Sequence, residues 1–378
     1  MSQKHLHSYS FTNQTISKKG KSVKNIIVFV ANRRNFDGSL LLHYLCIQHL
    51  NCNINLSLIV VVGQPLLKRA NDAYNILKSY NLHDQIQITL GSPNTNTILF
   101  CDGRDLDTDQ EYESAYPVIN RMLNPFKKVD YKYSIIAASG LEEIRTFLQN
   151  QLEQCLDMVE EVVLLSGVKA VSNEQQSTSL DNSTNNLKLG ASDELGLLAL
   201  LQPVKVLEEK QIKIKLISKH LPYSFKFNTS KFFDSLELKT GDVDLVKNSL
   251  QLLYLLSSFR ADHVARRDIL PSAFNDSIFW SMFREDKAAQ EISPLEKVWD
   301  HIDFIYFYDV FCAIVLINPE WFDPKEFFIV DPYTNQKSKV EVYGLPMENP
   351  SSENIIISNC ILDKTAIESE LRTLLASI

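Results

Sequence analysis

Apolar positions along the chain fall into two patterns. The unbroken run at residues 26–31 (IIVFVA) does not alternate with polar residues, which predicts a strand buried on both faces, and residues 55–62 (NLSLIVVV) read as a second buried strand. Residues 86–90, 134–138 and 161–165 read as further strands, and Gly63, Gly91 and the pairs Ser139-Gly140 and Ser166-Gly167 follow the ends of four of the five. Between them, residues 40–50, 66–80 and 141–158 carry the spacing of helices. Strand and helix in alternation predict an α/β fold, a mainly parallel sheet with helices on both faces. Ligands of such sheets bind outside the carboxyl ends of the strands. Those ends are residues 32–37, 63–65, 139–140 and 166–168.

The rest of the chain is read more coarsely. Residues 92–130 read as irregular, with an acidic stretch DGRDLDTDQEYE at 102–113. Residues 173–186 (NEQQSTSLDNSTNN) read as a surface loop, and 193–201 as a helix stopped before Pro203. Residues 213–218 alternate Lys with Ile and Leu, which predicts a strand near a sheet edge. Residues 228–300 are expected to be a mainly helical elaboration, with SLQLLYLLSSF at 249–259 as a packed helix. A further apolar helix at 308–316 closes at Asn318-Pro319, and 327–330 with 339–343 form a terminal strand pair. There is no internal repeat and no clear linker after residue 25. The expected organisation is one domain over 25–378 behind a basic tail at 1–24.

Composition narrows the function classes. The 378 residues are 45% hydrophobic and 22% charged, ordinary for a globular protein, and the formal net charge of −8 argues against general nucleic-acid binding. Cys46, Cys52, Cys101, Cys155, Cys312 and Cys360 are scattered without a C-x-x-C pair, so reduced buried thiols in an intracellular, reducing compartment are expected. The tail carries Lys4, Lys18, Lys19, Lys21 and Lys24 and no acid, which reads as a disordered cytoplasmic tail, with a mitochondrial presequence as the alternative. No apolar run reaches the ~20 residues needed to span a bilayer. The eight histidines show no metal-ligand spacing, and no G-x-S-x-G, P-loop or G-x-G-x-x-G motif occurs. RADHVARR at 260–267 reads as a solvated basic face, or else an anion site.

Four segments taken together resemble the nucleoside hydrolases, the inosine-uridine-preferring ribosidases. VANRRNFDG at 30–38 stands where that family has D-x-D-P-G-x-D-D-A, and VVVGQPLLKRANDAYNILKSY, with Gly63-Gln64, stands where it has V-A-G-N and then a helix. AASGLEEIRTFL, running on to VEEVVLLSGV, compares with T-G-P-L-T-N-I-A and I-V-x-M-G-G, and YDVFCAIVLINPEWF at 308–322 compares with H-D-P-L-A-V-A-x-x-x-x-P-E-x-F. The order is kept over roughly residues 24–345.

The resemblance implies N-glycoside hydrolysis through an oxocarbenium-like state, with water activated on a Ca²⁺ held by aspartates and a backbone carbonyl. Carried onto this chain, the motif is degenerate. The first aspartate falls on Val30, the ligand-and-base aspartate on Asn32, and the ribose-binding aspartate on Phe36, while Pro-Gly becomes Arg33-Arg34. A register shifted by one residue puts Arg33 at the base position instead. Asp37 and Asp309 remain as implied metal ligands, Ser139 takes the carbonyl position, and Tyr308 replaces the histidine linked to the leaving base. The E-F-N ribose motif falls near NLK at 186–188, where neither its acid nor its asparagine is in place.

An amide cannot take a proton from water at neutral pH, and losing a general base costs ~10²–10⁴-fold in rate. The expected protein has lost hydrolase activity and acts as a binding or scaffold subunit, with a protein partner or a second copy of itself. Its pocket would be lined by Asn32, Arg33, Arg34, Phe36, Gln64, Ser139 and Tyr308. No cofactor is expected: Asp37 would cap a helix starting at Gly38-Ser39, and Asp309 would pair with Arg33 or Arg34. A residual Ca²⁺ on Asp37 and Asp309 is the alternative. Two other functions stay open: a divergent hydrolase with a base from the 102–113 loop, and a non-hydrolysing nucleotide or sugar-phosphate sensor using the two arginines.

Overall fold

The computed structural model describes residues 23–30, 36–62, 66–91, 113–122, 132–138, 158–166, 168–170, 186–189, 208, 212–218, 220–223, 225–228, 242–260, 275–286, 292, 296–330, 337–344, 346–347, 356–357 and 360–377. The strands among the described residues are β1 (Lys24–Val30), β2 (Ile54–Val61), β3 (Gln87–Leu90), β4 (Glu113–Ser114), β5 (Tyr133–Ala137), β6 (Val159–Ser166), β7 (Val168–Ala170), β8 (Asn186–Leu189), β9 (Lys213–Ser218), β10 (Phe227–Asn228), β11 (Phe304–Ile305), β12 (Lys325–Val330), β13 (Lys337–Tyr343), β14 (Pro346–Met347) and β15 (Ile356–Ile357). One sheet runs β4-β3-β2-β1-β5-β6-β9-β13-β12-β8-β7. Every pairing from β4 to β13 is parallel; β12 then pairs antiparallel with β13 and parallel with β8, and β7 pairs antiparallel with β8. The predicted α/β class, the mainly parallel sheet and the terminal strand pair are all present.

Period-two alternation sorts the core. Ile26, Val28 and Val30 of β1 face one apolar layer, and Ile27 and Phe29 the other. The first layer is roofed by helices α1 (Phe36–Leu50) and α2 (Leu66–Ser79); the second receives Ala115, Val118 and Ile119 of α3 (Ala115–Met122). Helices α4 (Asp242–Ser258) and α5 (Asp276–Phe283) lie within residues 228–300. They meet through Tyr254, which lies 5.5 Å from Phe279 and 5.3 Å from Trp280 between ring centroids. Helix α6 (Asp309–Ile317) packs against α1 and against β5 and β6 of the sheet, with Val310 to Leu316 buried without exception. Helix α7 (Lys364–Ser377) packs on α1, where Tyr44 Oη donates to Glu370 at 3.1 Å.

Four sequence expectations need correction. Residues 213–218 are not near an edge: β9 sits between β6 and β13, and Lys215 is buried because Glu161 neutralises it across the ladder. Within 92–130, Glu113–Ser114 pairs with β3, and α3 forms because Ala115, Val118, Ile119 and Met122 recur on one helical face. Asn186 belongs to β8 rather than to the preceding loop. Lys24, counted with the tail at 1–24, opens β1 instead. Residues 1–22 of that tail, 102–112 of the acidic stretch at 102–113, 141–157 of the helix expected at 141–158, 173–185 of the expected surface loop, the helix expected at 193–201 and 261–267 of the basic patch lie outside the described residues. No helix among the described residues is long and apolar enough to cross a membrane.

Candidate functional site

At the carboxyl edge of the sheet β1 ends at Val30, and α1 begins at Phe36 after the short connection of residues 31–35. The ladder holds to the strand ends: Val62 N–H donates to Val30 O at 3.0 Å and Gly91 N–H to Val61 O at 2.8 Å. Helix α6 arrives at the same edge from far along the chain, with Tyr308 at its N-cap and Asp309 in its first turn. Asp37, in the first turn of α1, meets this end of α6.

The result is a pair of carboxylates at the N-terminal ends of two packed helices. Asp37 as a whole is half-buried, yet its Oδ1 is fully sequestered and has no hydrogen-bond partner. Burial raises its pKa well above the usual carboxylate range, the neighbouring Asp309 charge raises it further, and the Tyr308 backbone N–H partly offsets both. The same environment acts on Cys312, one turn into α6, whose thiol is pushed well up by burial and then by Asp309. Helix N-termini favour negative charge, which explains why both acids are tolerated there. It does not remove their mutual repulsion, which a proton or a cation would relieve.

Asp37 does not cap α1 as expected. The helix starts earlier, at Phe36, so Asp37 lies inside its first turn, and its hydrogen bond comes from Tyr308 on the other helix. Of the sequence-derived site residues, Asp37, Tyr308 and Asp309 are thus brought together, and Phe36 opens α1 beside them. Asn32, Arg33, Arg34, Gln64 and Ser139 lie outside the described residues, as does the side chain of Phe36. Residues 186–188 are not at this site. They lie on β8, six strands from β1, or about 29 Å at the usual strand spacing.

A residue that the sequence reading passed over is Arg69. It is buried in α2, and its Nη1 donates to Val62 O at 2.8 Å, tying the start of α2 to the end of β2 on either side of residues 63–65. Its signal was legible, since positions 69, 73 and 76 follow the i, i+4, i+7 stripe of the helix's buried face.

Two adjacent carboxylates with one unfilled buried oxygen fit a divalent cation in part. Among the described residues no group of three or more metal-ligating side chains occurs. Ca²⁺ takes six to eight oxygens, so Asp37 and Asp309 would need further donors from the 31–35 and 139–140 segments.

No protein-family model and no curated protein sequence matches the chain. Solved structures do. The effector protein XOO4466 shares 12% identity over 94% of this chain and 93% of its own, with a TM-score of 0.67. The type III effector protein XopQ, solved in complex with adenosine diphosphate ribose, shares 12% identity over 94% of each chain, with a TM-score of 0.65. An inosine-uridine-preferring nucleoside hydrolase from Bacillus anthracis shares 11% identity over 94% of this chain and all of its own (100%), with a TM-score of 0.53. The chain carries the nucleoside-hydrolase fold on a widely diverged sequence.

Proposed function

We propose that this chain has lost N-ribosyl hydrolase activity and works by binding, holding a ribosyl phosphate ligand of the adenosine diphosphate ribose class at the carboxyl edge of its sheet. One observation carries the reading. The two metal-ligand positions that the resemblance implies hold the adjacent pair Asp37 and Asp309, while the base position, five residues before Asp37, holds Asn32. Arg33 and Arg34 in the same loop supply the bidentate donors that phosphate oxygens favour. Further support comes from XopQ, a protein of the same fold solved with adenosine diphosphate ribose. A binding or scaffold subunit of this kind would work through a protein partner or a second copy of the chain. Calorimetric titration with adenosine diphosphate ribose tests the reading. Binding that is lost in Arg33→Ala/Arg34→Ala supports it; no binding, or binding indifferent to both arginines, refutes it.

A second reading is favoured by the orphaned Oδ1 of Asp37 beside Asp309. Here the chain is a divergent hydrolase of a nucleoside or related ribosyl compound. Asp37, Asp309 and the Ser139 carbonyl would hold a Ca²⁺, which when bound supplies an acidified water. The protein's own part would be to orient the ribose and exclude bulk solvent. A Ca²⁺-dependent rise in melting temperature that disappears in Asp309→Ala supports this reading over neutralisation of the pair by the arginines.

A further inference from the structure

At the opposite end of the sheet from the carboxylate pair lies a second charged cluster that the site does not use. Glu161 of β6 stands between Ser134 of β5 and Lys213 of β9 in register, with Lys215 two residues further along β9. Glu161 is 3% exposed and Lys215 2%. One Glu161 oxygen accepts Lys215 Nζ at 2.7 Å; the other accepts Lys24 Nζ and Ser134 Oγ, the latter at 3.2 Å. Lys24 Nζ also donates to Leu316 O at 3.2 Å, one of the terminal carbonyls of α6. That carbonyl is not used by the helix's own closing turn, in which Asn318 N–H bonds Ile314 O.

This second contact gives Lys24 a role distinct from charge balance. Lys24 and Lys215 against Glu161 leave one positive charge in excess, so without Lys24 the buried pair would be neutral and still bonded. What only Lys24 provides is the link to α6. That helix is apolar between its ends, and Cys312 is the sole polar side chain from Val310 to Leu316. Apolar burial is non-directional, so between its ends shape complementarity alone holds this helix along its axis. Two directional contacts sit at its ends: Asp37 on the Tyr308 N–H at one, and Lys24 on Leu316 O at the other, where the helix dipole also favours a cation.

We infer that Lys24 is a positioning residue for the carboxylate pair: it fixes the C-terminal end of α6 and so sets where Asp309, about 10 Å up the helix axis, stands relative to Asp37. The inference rests on the reading of that pair as part of the binding site, and its test separates the two. Wild type, Lys24→Met and Lys24→Arg are titrated calorimetrically with adenosine diphosphate ribose, and amide hydrogen exchange is followed in the same proteins. The expected result is at least tenfold weaker binding in Lys24→Met, rescue in Lys24→Arg, and at least tenfold faster exchange at amides 310–313 with β2 amides unchanged. If wild type binds and Lys24→Met binds equally well, the inference is overturned. If wild type does not bind, the functional reading fails and exchange decides alone: selective acceleration at 310–313 sustains the positioning role, and unchanged or uniformly accelerated exchange overturns it.

Discussion

Replacing Glu161 by Gln tests whether the buried charge cluster is physically what its geometry says. The substitution keeps volume and leaves two ammonium groups facing an amide. Lys24, with 30% of its side chain exposed, can turn outward; Lys215, at 2%, cannot. Stranding one member of a buried pair costs about 3–5 kcal/mol, because the surviving charge stays desolvated. With an unfolding entropy of ~2.1 cal/mol/K per residue, the 378 residues lose roughly 0.8 kcal/mol per degree near the midpoint, so Tm should fall by about 4–6 °C. Glu161→Gln/Lys215→Met removes the stranded charge and should recover most of that loss, giving a strongly non-additive double-mutant cycle in urea unfolding. Both partners' pKa values are lowered, which favours the charged form of Glu161 and disfavours that of Lys215. Burial raises Glu161 but is outweighed by Lys215 and Lys24, so its pKa is lowered; burial lowers Lys215 by more than Glu161 restores. With a 2.7 Å contact the ion pair is the state expected at neutral pH. A Glu161→Gln protein within ~1 kcal/mol of wild type, or an additive cycle, would refute the reasoning.

Other consequences are equally direct. In the window below the ordinary carboxyl pKa the unfolded chain binds more protons than folded Glu161 does, so the stabilisation this group provides should be complete above that range and lost as pH falls through its lowered pKa, as read by thermal melts. Asp37 has the opposite sign: its raised pKa means the folded state holds the proton longer, so in chelator-treated protein its contribution should be lost as pH rises through that value, and Asp37→Asn should flatten this part of the profile. Gly344→Ala should destabilise by more than ~1 kcal/mol in urea unfolding, because Gly344 has φ +75° and a Cβ there would meet Leu221 Cβ at 2.5 Å and its backbone at 2.7 Å. Cys312 should resist thiol reagents in the native state while half-buried Cys52 reacts, as counted by mass spectrometry.

Much of the fold was legible because burial on both faces writes itself as unbroken apolar runs. Strands β1, β2 and β6 and helix α6 fall within a residue or two of their expected positions. The strand at 213–218 shows the limit of that reading. Alternating lysines look like an exposed edge, and only the ladder reveals that Lys215 faces an acid from β6. Helix α7 was passed over although Ile367, Leu371, Leu374 and Leu375 carry a buried stripe. At the site, Asp37 and Asp309 were chosen through resemblance to a family motif. No spacing within the chain could reveal that two residues so far apart share one helix junction. The Tyr308 N–H contact and the buried Arg69 likewise depend on where α6 and α2 dock, which single-sequence patterns do not encode.

The function proposed above requires a ribosyl ligand to be bound with its N-glycosidic bond left intact. The most direct measurement incubates the purified chain with a panel of nucleosides and with adenosine diphosphate ribose, with Ca²⁺ and with chelator, and follows released reducing sugar beside ligand binding. The account predicts binding of adenosine diphosphate ribose and no sugar release under either condition. Ca²⁺-dependent release that is abolished by Asp37→Ala would contradict it.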